Sequence, residues 1–381
     1  MATPEIARRR SAGRIVLVGL CCFGILAAVL YGTGVYDRVR DSFSLDGACE
    51  GVLAQGELDG ALGAGGRAKA EDRSGSGGLA GCHVQSTADG AEGRFDLDVR
   101  WVGGELDAGV DDEARFLLPD RTDTSTTEHP VAPLGHGWPG VSSQDEGMLR
   151  VSLTFPCARS QRNLLVSGLL VREDGEAAER ARTGFARLVS SSGMRAADKY
   201  GCDTARGTRI TKAPADPFAL SASPRKVSSA RGTCAALRPL AGRAAKVGAP
   251  MARESSGPPA FAGRAPAVDC FLSPKGEFTP AYRLSALYTP YAETLRREAS
   301  DGWANLHSPA GRGRSDSHMA WGSAQCPGEK ERALFLIHDV YDSSARDSGA
   351  PRPSRPFESA ALRAFAKGAA EEHGCADLRL P

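Results

Sequence analysis

Ten cysteines carry the plainest chemistry in this 381-residue chain. Two of them, Cys21 and Cys22, lie inside an uncharged apolar stretch. The other eight follow it: Cys49, Cys82, Cys157, Cys202, Cys234, Cys270, Cys326 and Cys375. None of the eight shows Cys-x-x-Cys spacing, which argues against zinc and thioredoxin-type chemistry. An even number in an oxidising compartment reads as disulfides. The separations are 33, 75 and 45 residues among the first four and 36, 56 and 49 among the last four. A short, a long and an intermediate gap are thus used twice. Spacing leaves other connectivities open, but sequential pairing keeps each half self-contained: 49–82, 157–202, 234–270 and 326–375. Each closed loop would stabilise by about 3–4 kcal/mol.

Acid–base and metal chemistry would fall to seven histidines: His83, His129, His136, His307, His318, His338 and His373. None forms a His-Glu-x-x-His pair, and there is no Walker loop or nucleophile elbow. His338-Asp339 is the sharpest catalytic candidate, a histidine beside a carboxylate. A strand end with one side chain facing out explains the same pair. A rough match of the two halves sets Gly168 and Leu169 where His338 and Asp339 stand, so the halves do not share this chemistry. Arg312, Arg314, Ser315, Asp316 and His318 suit either an anion or a solvated loop, and the loop is preferred. Asp96 and Asp98 share one strand face and suit either a cation or a solvated face. Gly63-Ala64-Gly65-Gly66 is read as linker. No catalytic, cofactor-binding or metal residue is assigned.

The elements around the cysteines repeat as well. Apolar residues follow Cys49 (Val52, Leu53, Leu58, Leu62) and Cys234 (Leu237, Leu240, Ala244, Val247) at helical intervals. NLLVSGLLV after Cys157 and ALFLIHDVY after Cys326 predict buried strands. FARLVSSSGMRAADKYGC and FESAALRAFAKGAAEEHGC predict closing helices that stop at Gly-Cys. Residues 94–101 and 149–155 alternate as half-buried antiparallel strands, and 282–288 and 318–324 do so more weakly. The expected fold class is α+β: two tandem disulfide-stapled repeats with antiparallel sheets, behind an N-terminal transmembrane helix. Their boundaries are 47–204 and 233–381, joined by a linker at 205–232. Residues 63–81, 120–139 and 344–356 are read as loops from their Gly, Ser and Pro content.

Residues 15–36, IVLVGLCCFGILAAVLYGTGVY, carry no charge. As a helix they would span about 33 Å, enough for a bilayer core. Residues 1–14 are basic, with Arg8, Arg9, Arg10 and Arg14 against Glu5, which places them on the cytoplasmic side. A retained signal anchor is preferred to a cleaved signal peptide or a buried helix. Residues 37–46 form a short stalk. Leu20 stands where lipid attachment at Cys21 wants a small residue, so Cys21 and Cys22 are read as packing residues, with occasional acylation open to them. Residues 1–40 have a net charge of +4, which leaves −3 of the chain's +1 for the rest. A slightly acidic ectodomain excludes an electrostatic nucleic-acid binder. Of the basic residues 39 are Arg and 8 are Lys, a bias of composition more than of mechanism.

The opening of each half, Cys-x3-Leu or Cys-x2-Leu followed by a short helix and a cysteine-bearing strand, resembles many membrane-anchored or lipid-anchored envelope proteins of actinobacteria. The Arg, Ala and Gly bias agrees. The resemblance implies a location in the envelope and a small α+β module. It brings no catalytic residues, and the lipid-attachment cysteine is missing. The expected role is binding or scaffolding in the cell envelope by a single-pass protein, with the membrane as one partner through residues 15–36. An envelope protein or a small molecule would be the other, held in the cleft between the repeats. Two alternatives are an envelope hydrolase or transferase with a site built from distant residues, and a sensory or regulatory partner of another membrane protein. No cofactor is expected.

Overall fold

The computed structural model describes residues 44–63, 67–73, 78–87, 93–102, 131–145, 148–157, 162–172, 179–202, 206–214, 223–254, 265–277, 280–299, 305–313, 319–339 and 354–381. The basic tail, residues 15–36 and most of the stalk lie outside them, as do His129, His318 and residues 314–316. Among the described residues no helix is long and apolar enough to cross a membrane.

Alternation builds the first sheet. Strand β3 (Gly93–Val102) buries Phe95, Leu97 and Val99 on one face. β6 (Met148–Cys157) does the same with Leu149, Val151, Leu153 and Phe155. With β1 (Ala68–Asp72), β2 (Ala80–Ser86), β4 (Ala132–Pro133), β5 (Gly140–Asp145) and β7 (Arg162–Arg172) they form an antiparallel sheet in the order β1-β2-β3-β7-β6-β5-β4. Helices α1 (Leu58–Leu62) and α2 (Glu179–Lys199) cover its apolar face. The second sheet holds β8 (Arg225–Lys226), β9 (Met251–Glu254), β10 (Ala267–Ser273), β11 (Tyr282–Leu287), β12 (Gly311–Arg312), β13 (Met319–Gln325) and β14 (Ala333–Asp339). Its order is β12-β13-β14-β11-β10-β9-β8, and β15 (Ala376–Arg379) also pairs with β13. Helices α3 (Ala241–Lys246), α4 (Tyr291–Ala299) and α5 (Arg355–Glu372) accompany it.

Both sheets trace one path. β1 in the first sheet and β9 in the second lead to the strand bearing the second cysteine, then to a third, and the next neighbour is the strand after the third cysteine. The bonded pairs are the sequential ones. In each half one bond ties a helical turn to the second strand, and the other ties a strand end to the end of the closing helix. Both closing helices stop alike. Gly201 and Gly374 take positive φ, and Cys202 and Cys375 donate N–H bonds of 2.8 Å to Ala197 and Ala370, five residues back.

Several expectations need correction. Residues 63–81 are not loop throughout, because β1 lies within them. Its short Ala-rich run has little strand propensity, and pairing with β2 holds it extended. The linker is not purely a surface connection: Ile210 and Ala213 are buried in the first core, and Trp138 donates its ring N–H to Thr208. Within 120–139, Val131 and Leu134 are buried and β4 is formed. Helix α4 and strand β15 were not expected, although α4 buries Tyr291, Ala292 and Leu295 along one side.

Close approach of α1 to α2 depends on Gly184. A Cβ there would lie 1.9 Å from the carbonyl oxygen of Gly60, whereas a Cβ on Gly60 would meet only the Gly184 Cα, at 3.5 Å. Gly184→Ala is therefore expected to destabilise by about 1–3 kcal/mol. Gly60→Ala is expected to be neutral or to stabilise by up to about 1 kcal/mol. Denaturant unfolding of both variants checks the asymmetry, and equal effects would contradict it.

Candidate functional site

The registers align the two sheets residue by residue. Cys82 stands opposite Leu97, which stands opposite Gly168; Cys270, Leu284 and Ile337 form the same row. Leu169 is therefore the equivalent of His338, one position away from the rough match made on sequence. Framework residues repeat at equivalent places. Asp72, opposite Cys82, accepts the Cys49 N–H at 2.7 Å. Glu254, opposite Cys270, accepts the Cys234 N–H at 3.2 Å and the Arg231 N–H at 2.5 Å. Burial raises the Glu254 carboxyl above its ordinary range, against those hydrogen bonds. At the other end of the module, Tyr200 meets Trp101 edge-on with ring centroids 6.2 Å apart. His373 stacks on Tyr288 at 3.6 Å in the second module. Nothing in the sequence marked the two carboxylates, because their role depends on strand pairing.

Side chains alternate across a sheet, so the residues beside these rows point away from the helices. There the two modules differ. In the first sheet the row reads Glu71, His83, Asp96, Leu169 and Arg150. In the second it reads Arg253, Phe271, Arg283, His338 and Met319.

The second row belongs to a packed seam between the sheets. Asp269 and Arg283 are 2% exposed and form an ion pair of 2.7 Å. Asp269 also accepts from Ser285 at 2.6 Å and from the Val131 N–H of the first module at 3.3 Å. The Arg283 guanidinium lies 5.4 Å from the Phe271 ring centre. Nearby, Tyr291 and Ser152 share a buried hydrogen bond of 2.8 Å across the modules, and burial pushes the phenol up to about 12. Val102, Val131, Val141 and Leu165 of the first module complete the second core. At these residues the region between the modules is filled by side chains, not an open cleft as expected from sequence.

The first row is open. His83 Nδ1 lies 3.0 Å from Asp96 Oδ1, with their side chains 33% and 17% exposed, and Arg73 donates to the same oxygen at 2.9 Å. A carboxylate at Nδ1 places the neutral ring's proton there and leaves Nε2 as an acceptor. Asp98 pairs with Arg100. Asp96 and Asp98 are thus held by separate cations and do not converge on one ion. Among the described residues no group of three or more His, Cys, Asp or Glu could hold a metal. His338 and Asp339 do not form a dyad, since neighbours on a strand face opposite ways: His338 lies beside Arg283 and Met319, and Asp339 beside Tyr282. Arg312 is tied to Glu358 at 3.2 Å and to Ser359, so it joins β12 to α5.

Three variants test these clusters. Asp269→Ala leaves a buried guanidinium uncompensated and is expected to cost about 3–5 kcal/mol in urea unfolding. Combining Asp269→Leu with Arg283→Met is expected to recover most of it. An undiminished stability in Asp269→Ala would show that the pair does not hold the seam. His373 is pushed down to about 4 by burial, against hydrogen bonds to the Ala265 and Ala369 carbonyls. Its ordinary value is about 6.5, so its contribution is complete above that and fades as pH falls towards 4. Native protein should lose on the order of 3 kcal/mol more than His373→Gln across that window. Glu329 and Glu372, raised by burial, act in the opposite sense in both proteins, so only the difference is diagnostic.

Compared with known proteins, the chain matches no family model, no curated protein and no solved structure.

Proposed function

We propose that this is a single-pass extracytoplasmic protein, anchored through residues 15–36, whose two tandem modules serve binding or scaffolding in the cell envelope. Four disulfides favour an oxidising compartment, and the uncharged stretch behind a basic tail supplies the anchor. The role is carried by one comparison within the chain. Cysteines, carboxylate partners, helix stops and aromatic pairs recur in both modules, while the residues on the faces turned away from the helices do not. In the second module that face is consumed by the seam. In the first it stays open over β1, β2, β3 and the adjoining end of β7, presenting Lys69, Gln85, His83, Arg94 and the half-buried Leu169 and Val171. A stable frame with one free, divergent face is the arrangement expected of a binding module.

Two measurements test this. Protease added to intact cells should remove the modules and leave a tag on residues 1–14 protected; protection of both would end the extracytoplasmic reading. A photo-cross-linking residue at Gln85, on the open face, should trap an envelope component in cells. The same residue at Arg363, exposed on α5, should not. Equal yields at both positions, or none at Gln85, would remove the face from consideration.

A further inference from the structure

Strands β1 and β9 are equivalent, and among the described residues only β9 has a further strand on its outer side. Asp72 matches Glu254, so Ala70 matches Ala252 and Ala68 matches Pro250. In β1 the Thr87 N–H donates to Arg67 O and the Arg73 N–H to Gly81 O. Bonding alternates along an antiparallel pair, so Lys69 and Glu71 also turn their backbone groups towards β2. Ala68, Ala70 and Asp72 turn theirs outward. In the second module the corresponding outward groups are taken: β8 pairs Arg225 with Ala252, and the Val227 N–H donates to Pro250 O at 2.9 Å. No described strand lies on the outer edge of β1, the last described strand on that side of the sheet.

The sequence of β1, AKAED, is complementary to itself when run antiparallel about Ala70. Ala70 then faces Ala70 of a second copy, and Ala68 faces Asp72. All three outward-bonding residues fall into hydrogen-bonded pairs. Lys69 faces Glu71 in each direction, at the closely spaced positions where side chains meet. Within one chain these two already attract at 2.5 Å, with side chains 54% and 64% exposed, so both are free to exchange partners. The Asp72 carboxylate remains on Cys49 and is not needed.

We infer that β1 is a homodimerisation edge: two copies pair antiparallel through residues 68–72, and their seven-stranded sheets run on as one across a two-fold axis at Ala70. The inference goes beyond the binding reading and does not depend on it. The two open faces, each with its His83–Asp96 pair, become continuous across the dimer.

Charge reversal provides the test, on the full chain isolated from cells that carry two differently tagged copies. Native copies should co-isolate. Glu71→Lys copies should lose pairing with one another at least tenfold, since Lys69 then meets Lys at position 71. Lys69→Glu copies should lose it equally. A Lys69→Glu copy mixed with a Glu71→Lys copy should pair again, because every contact is then between opposite charges. Ala70→Pro removes an outward N–H without touching the β2 ladder and should also abolish pairing. Monomeric native protein would overturn the inference and make Lys69 and Glu71 guards of an open edge. So would single variants that pair as well as the native chain, or a mixture that fails to recover.

Discussion

Asp269 and Arg283 meet where almost no water reaches them, and the relation between the two halves of the molecule turns on that meeting. A carboxylate and a guanidinium so deeply buried lose most of their hydration. Both are compensated locally: Asp269 receives two bonds from Arg283, one from Ser285 and one from the backbone of Val131. The last of these comes from the other module. The ion pair therefore cannot be satisfied fully by the second sheet alone. Tyr291 repeats the pattern in neutral form, reaching across to Ser152. Polar groups that need partners from both sheets fix how the sheets face each other more sharply than apolar contact, which is indifferent to small slides.

Comparing the modules separates what holds a frame from what uses it. A carboxylate opposite the second cysteine, a Gly-Cys helix stop and an aromatic pair at the end of the third strand recur because each answers a backbone need of the same path. A helical turn leaves N–H groups unsatisfied, and a long helix must end before its chain can turn back to a disulfide. The faces turned outward answer no such need. Asp96 in one sheet and Arg283 in the other stand at the same register position with opposite charge. One became part of a packed seam and the other stayed beside His83 in contact with solvent.

Much of the frame was legible in the residues. Phe95, Leu97 and Val99, and again Leu149 through Phe155, alternate because one side of their sheet meets helices and the other does not. The closing helices announced themselves by their apolar spacing and terminal glycines. The short strands were not legible: β1 and β8 hold few residues of high strand propensity and exist because a neighbour's hydrogen-bonding edge draws them extended. The clusters were the least legible. His338-Asp339 looked joined because the residues are adjacent in sequence, yet adjacency on a strand separates side chains. His83 and Asp96 are thirteen residues apart and touch.

By itself, then, the sequence determined the α+β class, the twice-used cysteine spacing and the apolar stripes of the long elements, because each depends on neighbours within a few turns or one strand. The tertiary structure decided which polar residues meet, which face is buried against the other module and which strand is the last described at the edge of its sheet. Those outcomes depend on registers between segments more than a hundred residues apart, such as Ser152 with Tyr291 or Val131 with Asp269. No local pattern encodes them, because they arise only when two independently patterned sheets are brought together.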